Sequence, residues 1–172
     1  MLASIVRDTS QPEWFTKEQQ GDAVMPVIEE HVHISRPPQE IFDYLSSAEN
    51  LPVWDSSIME AEQITPGPVQ VGTRWRGVSK ILGRRFDWTT EVTDLDPATR
   101  WTSQAVEGKL RFTVTQQLEP ENGGTRFTYK VEAESGLGGI FGRITDPLVE
   151  KTQRRTVRGN LDTLAELLTQ PS

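Results

Sequence analysis

The sequence predicts an α+β domain, in which an antiparallel sheet meanders through the middle of the chain and one long helix closes the C-terminal end. Three observations carry this. Residues 71–133 alternate between apolar and polar side chains through successive segments bounded by turn residues, the period-two pattern of half-buried strands. Folded as hairpins, the same stretch brings opposite charges together on its polar face. Beyond the glycine-rich segment 136–142, the apolar spacing changes to a helical period that runs to about Thr169.

The hairpins predict a register. A Gly83-Arg84 turn sets Ser79 opposite Trp88, Gly77 opposite Thr90 and Trp75 opposite Val92, with Lys80 facing Asp87 and Arg76 facing Glu91 outside. The segment Asp94–Thr99 is the next turn. A Glu107-Gly108 turn sets Ser103 opposite Phe112 and Trp101 opposite Val114. The Glu119–Arg126 loop, with Asn122-Gly123-Gly124, sets Gln116 opposite Tyr129, Val114 opposite Val131 and Phe112 opposite Ala133; outside, Thr113 faces Glu132 and Arg111 faces Glu134. One face of the sheet is then charged. The other is apolar but interrupted by Ser79, Thr90, Ser103, Gln116 and Tyr129.

Upstream, Pro26–Ser35 reads as a strand with Ile28, Val32 and Ile34 on one face and His31 and His33 on the other. Pro37-Pro38 opens a short helix carrying Ile41, Phe42 and Leu45, and Glu49–Trp54 makes a second. Ile58–Ile64 is a short strand ended by Pro66-Gly67-Pro68. In the C-terminal helix, expected to start near Ile140 and kink near Pro147, the apolar stripe is Val157, Leu161, Leu164 and Leu168. Its continuation toward the N-terminus is polar, with Thr152, Gln153 and Thr156. Residues 1–24 lack such patterning and are expected to form an extension to a single domain spanning 25–170, with Met25 as an alternative start. Trp14-Phe15 is an anchor candidate within that extension.

Composition excludes several functions. The net charge of −7 argues against nucleic acid or an anionic membrane as the main partner. With no cysteine there is no disulfide, thiolate nucleophile or thiolate metal site. No apolar run reaches the ~18 residues of a membrane span and no signal-peptide pattern opens the chain, so a cytoplasmic location is expected. His31-x-His33 has metal-ligand spacing but points away from the apolar face and lacks a third histidine, so no metal is expected. The 136–142 glycines follow an antiparallel strand without a βαβ context and read as a hinge, not a phosphate loop. No nucleophile elbow is present. Arg143, Lys151, Arg154, Arg155 and Arg158 give a solvated helix face pairing with Glu150, with Arg143 a candidate for holding an anionic ligand group.

Several segments together resemble a known family: Ile41-Phe42-Asp43-Tyr44-Leu45-Ser46, Asn50-Leu51-Pro52-Val53-Trp54, Val71-Gly72-Thr73-Arg74-Trp75 and Leu161-Asp162-Thr163-Leu164. With the order of elements, they resemble the START-related SRPBCC superfamily, in its polyketide cyclase/dehydrase-like branch, over residues 25–170. The resemblance implies a helix-grip fold: a curved seven-stranded antiparallel sheet wrapped around the long helix, two short helices between strands 1 and 2, and a hydrophobic cavity between sheet and helix. It implies a hydrophobic small-molecule ligand and no cofactor, without settling whether the chain is an enzyme.

The mixed inner face supplies the candidate site. Trp75, Trp88, Trp101 and Phe112 offer contact area, while Ser79, Thr90, Ser103, Gln116 and Tyr129 offer polar groups, facing Thr152 and Thr156 of the helix. The expected ligand is apolar and aromatic or polycyclic. The alternative is a polyketide cyclase, aromatase or dehydratase using the same cavity, with Tyr129 as proton donor and Glu30, which shares the parity of Ile28, as base. No discrete protein-docking motif is present.

Overall fold

The computed structural model describes residues 27–133 and 147–170. Strand β1 (Val27–Ile34) leads into α1 (Pro38–Leu45), a 3-10 turn at Ala48–Asn50 and α2 (Leu51–Trp54). Six strands follow: β2 (Ile58–Gln63), β3 (Arg74–Ile81), β4 (Arg84–Asp96), β5 (Arg100–Gly108), β6 (Phe112–Glu121) and β7 (Gly124–Ala133); the last element is α3 (Pro147–Thr169). The expectations for residues 1–24, the 136–142 glycines, Arg143, Glu134 and the kink near Pro147 lie outside the described residues.

All seven strands join one antiparallel sheet in the order β1-β7-β6-β5-β4-β3-β2. The sheet curls into a half-barrel around α3, the helix-grip arrangement. Ladder irregularities at Thr89/Thr90 and Val92/Asp94 in the long strand β4, and at Ile58/Glu60 in β2, locally bend and twist the strands. Along β1, Glu30 and Ile34 are buried while His31 and His33 are exposed, as the alternation requires.

The β6–β7 register is the expected one, with Gln116 opposite Tyr129 and Val114 opposite Val131. It turns on Asn122-Gly123, both in the left-handed region at φ 49 and 77, the two-residue turn whose twist matches the strands. The β3–β4 register differs from expectation by two residues. Ser79 faces Phe86, Gly77 faces Trp88, and Trp75 faces Thr90. The turn is Leu82-Gly83 (φ 49 and 79), so a leucine takes a position that normally favours asparagine or glycine. Outside, Lys80 therefore faces Arg85; Glu91 pairs with Arg74 at 2.8 Å, and Arg76 with Glu62 of β2.

The β5–β6 register is also shifted by two, with Trp101 opposite Gln116 and Ser103 opposite Val114. Gly108 is not a turn residue. It ends β5 opposite Trp88, where an added Cβ would sit 2.5 Å from the Asp87 carbonyl oxygen. The turn after β4 is shorter than Asp94–Thr99, because β4 runs to Asp96 and β5 starts at Arg100. Shifts of two keep every side chain on its face, so the inner face is as expected.

Among the described residues the core forms three clusters around that face, the smallest being Phe86, Leu110 and Ala133. At one end Ile34, Ile41, Leu118 and Phe127 pack against Leu161 and Leu164 of α3; at the other Trp75, Trp88, Val92 and Trp101 pack with Ala48. No helix among the described residues is long and apolar enough to cross a membrane.

Candidate functional site

Between the inner face and α3 lies a cavity of about 190 Å³. Three tryptophans of the sheet and one from α2 line it. Trp75 and Trp101 meet edge to face, with ring centroids 5.1 Å apart, and Trp88 continues the wall. Leu45, Leu51 and Trp54 border it from the short helices, and Gln153, Thr156, Val157 and Asn160 from α3.

Of the residues the sequence singles out, Trp75, Ser79, Trp88 and Thr90 line the cavity, as do Trp101, Ser103, Phe112 and Gln116. Tyr129 and Thr156 also line it. Thr152 does not: it is exposed, and its hydroxyl donates to the Leu148 carbonyl one turn back. The adjacent Gln153 borders the cavity in its place. Glu30 is buried beside the cavity rather than in its wall. Its carboxylate accepts from Arg158 at 2.7 and 3.2 Å and from Arg154 at 3.5 Å, tying β1 to α3. Arg154 also pairs with Glu150 at 2.9 Å, as expected of that helix face.

Two polar interruptions have partners within the wall. Ser79 accepts the Trp88 indole N–H and Ser103 the Trp101 indole N–H, each at 2.8 Å. Burying an indole without an acceptor is unfavourable, so these serines accompany their tryptophans. Gly77 serves the same wall from behind. An added Cβ would run into the Trp88 ring and the Glu60 carbonyl, so only glycine admits the indole.

The polar centre of the site is a group the sequence reading missed. Asp55 follows α2 and is 5% exposed. Its Oδ1 accepts three hydrogen bonds: from Ser57 N–H at 2.9 Å, Ser57 hydroxyl at 2.7 Å and Asn160 Nδ2 at 2.8 Å. Asn160 in turn accepts from the Ser56 N–H (3.2 Å) and hydroxyl (2.8 Å), which links α2 to α3. Burial pushes the Asp55 carboxyl above the usual carboxylate range, against the lowering effect of the Ser57 bonds. Two signals were available: Asp-Ser-Ser after an aromatic anchor, the sequence of an Asx turn, and an asparagine inside the Val157–Leu164 apolar stripe.

Tyr129 stands next to this centre. Its ring meets Trp54 edge-on at 5.7 Å, and burial followed by the Asp55 charge raises its phenol so far that it stays protonated. Among the described residues its hydroxyl has no hydrogen-bond partner. Gln116, its cross-strand partner, has an Oε1 sealed from solvent without a donor. No group of three or more metal-binding side chains occurs among the described residues.

Comparison with known proteins supports the same architecture. Residues 25–169 match the family described as polyketide cyclase/dehydrase and lipid transport. The chain belongs to this family. A search of curated protein sequences finds no match. Among solved structures, TTHA0849 from Thermus thermophilus is 25% identical, with a TM-score of 0.69 over 83% of this chain and 97% of that one. A START superfamily protein from Mycobacterium smegmatis is 15% identical (TM-score 0.66, covering 83% and 96%). The Zhui aromatase/cyclase from Streptomyces sp. R1128 is also 15% identical (TM-score 0.67, covering 84% and 93%). The superfamily expected from the sequence is thus the right one; at these identities the structural likeness speaks for fold.

Proposed function

We propose that this protein binds a compact, mostly apolar aromatic molecule in the cavity between sheet and α3. The observation that carries this reading is the cavity's wall: three sheet indoles whose N–H groups are already satisfied by Ser79, Ser103 and Gln63, so that what they present to the cavity is apolar ring surface. Its volume is below the ~300–1,000 Å³ typical of drug-sized ligands, which favours one or two rings over a long chain. Native mass spectrometry of protein purified from its own cells is the direct test. A retained small molecule is expected, and Val114→Trp, which places an indole in the cavity, releases it while circular dichroism is unchanged. If no molecule is retained and no panel of one- to three-ring aromatics raises the melting temperature, the reading is wrong.

A second reading, cyclase or dehydratase chemistry on a polyketide-like substrate, is favoured by the Tyr129 hydroxyl. Held protonated and without a hydrogen-bond partner among the described residues, it can polarise a carbonyl without itself giving up its proton. Turnover lost in Tyr129→Phe with binding retained supports it; unchanged turnover removes Tyr129 from the mechanism.

A further inference from the structure

The cavity holds an acid with no countercharge. Among the described residues that line it, Asp55 is the only carboxylate, and there is no lysine, arginine or histidine. Arg154 and Arg158 of α3 are taken up elsewhere, by Glu30 and Glu150. The donors that meet Asp55 are neutral, and all three meet Oδ1: the Ser57 N–H, the Ser57 hydroxyl and the Asn160 amide. They fix the carboxyl in place and leave Oδ2 over. That oxygen has no hydrogen-bond partner among the described residues, and it is not sealed by protein atoms as the Gln116 Oε1 is. Because Asp55 is only 5% exposed and lines the cavity, the space its free oxygen meets is the cavity itself. A buried carboxylate without a countercharge is disfavoured, and it either takes up a proton or is met by a cation. Burial raises the Asp55 pKa, which is the first of these outcomes; a cationic ligand supplies the second.

We infer that Asp55 Oδ2 is the anchor for a protonated amine, so that the cavity takes a compact aromatic or arylalkyl amine whose ammonium group pairs with that oxygen. The inference rests on the cavity being a ligand site and adds the chemical class: a primary or secondary amine, not a plain hydrocarbon or an acid. Three features suit the wall to such a group. An ammonium carries more than one N–H, and the Tyr129 hydroxyl oxygen, which also lines the cavity without a hydrogen-bond partner among the described residues, can accept a second. Tyr129 stands close enough to Asp55 for the carboxylate charge to act on its phenol, so both acceptors serve one corner. The rest of the wall is rich in aromatic rings, with Trp54 directly before Asp55 and its ring 5.7 Å from that of Tyr129. Aromatic rings, unlike aliphatic side chains, attract a cation placed against their faces. The other ligand charges fit less well. A carboxylate or phosphate would meet Asp55 with no cationic side chain to receive it, and a hydrocarbon would leave Oδ2 unpaired.

Three two-ring probes of similar shape test this at neutral pH: 1-aminotetralin, which is a cation there, neutral 1-methyltetralin and anionic tetralin-1-carboxylate. Binding is read by calorimetry and by the shift in melting temperature. 1-Aminotetralin is expected to bind at least about tenfold more tightly than 1-methyltetralin, and the carboxylate more weakly than both. Asp55→Asn, which keeps the Oδ1 acceptor and removes the charge, is expected to abolish the preference for the amine while 1-methyltetralin binds as before. The neutral probe thereby shows that the variant still forms the cavity, and the preference in the unmodified protein stands as a test that needs no variant. 1-Methyltetralin binding as tightly as 1-aminotetralin, tighter binding of the carboxylate, or an amine preference that survives Asp55→Asn each overturns the subsite while leaving the cavity reading intact. If none of the three binds, the molecule retained in native mass spectrometry decides: a basic nitrogen in it upholds the subsite, and its absence overturns it. If nothing is retained either, the cavity reading fails with it.

Discussion

Asn160→Ala probes how α3 is seated over the cavity. The substitution removes three hydrogen bonds: Asn160 Nδ2 to Asp55 Oδ1 at 2.8 Å, and those from the Ser56 N–H and hydroxyl at 3.2 and 2.8 Å. At a net ~0.5–1.5 kcal/mol each, and with a buried carboxyl losing one of three donors, the expected loss is about 2–4 kcal/mol. For a domain of this size that lowers the melting temperature by roughly 5–15 °C. The loss depends on pH in a definite direction. A donor to Oδ1 stabilises the ionised carboxyl more than the neutral acid, so its removal is felt most where Asp55 is ionised, above its raised native pKa. Urea denaturation at several pH values between about 5 and 8 measures both parts. With Asp55→Asn, a double-mutant cycle isolates the pair. A loss under ~1 kcal/mol, or one that does not shrink toward acid, refutes the view that Asn160 anchors the helix through a buried carboxyl.

Two further outcomes follow from the same geometry. Because burial raises the Asp55 pKa above its ordinary 3.8, the folded protein holds this proton more tightly than the unfolded chain. Asp55 therefore lowers stability as pH rises through that window. Asp55→Asn, which keeps an Oδ1 acceptor, should gain on the unmodified protein as pH rises from about 4 to 8 in thermal unfolding; a pH-independent difference would falsify this account. Gly77→Ala forces a Cβ into the Trp88 ring and the Glu60 carbonyl, and is expected to lose about 1–3 kcal/mol by denaturation. A loss below that range means the indole and the edge strand shift freely.

How much of this was legible depends on whether the signal is local. The β6–β7 register could be read because Asn122-Gly123 is a turn whose residues match its left-handed backbone. The β3–β4 register could not, because Leu82 takes the same conformation against its own preference. The cavity wall survived that error: a shift of two residues preserves facing. Thr152 was misplaced for a different reason. It lies one residue from Gln153, and at ~100° per residue that step carries a helical side chain off the cavity face. Ser79 and Ser103 were visible as polar interruptions, but their indole partners belong to the folded packing.

Element order, the inner and outer faces of the sheet and the family can all be read from the amino-acid sequence, because periodicity, turn residues and local motifs are written in neighbouring positions. The polar centre exists only in the folded chain. Asp55 and Asn160 are 105 residues apart and acquire a shared role only when the curled sheet brings α2 under α3. The same curvature sets Tyr129 beside Asp55, in a setting dry enough to raise both groups. Local patterning encodes which way a side chain points; which distant groups it meets, and how much water remains between them, depends on how the layers close.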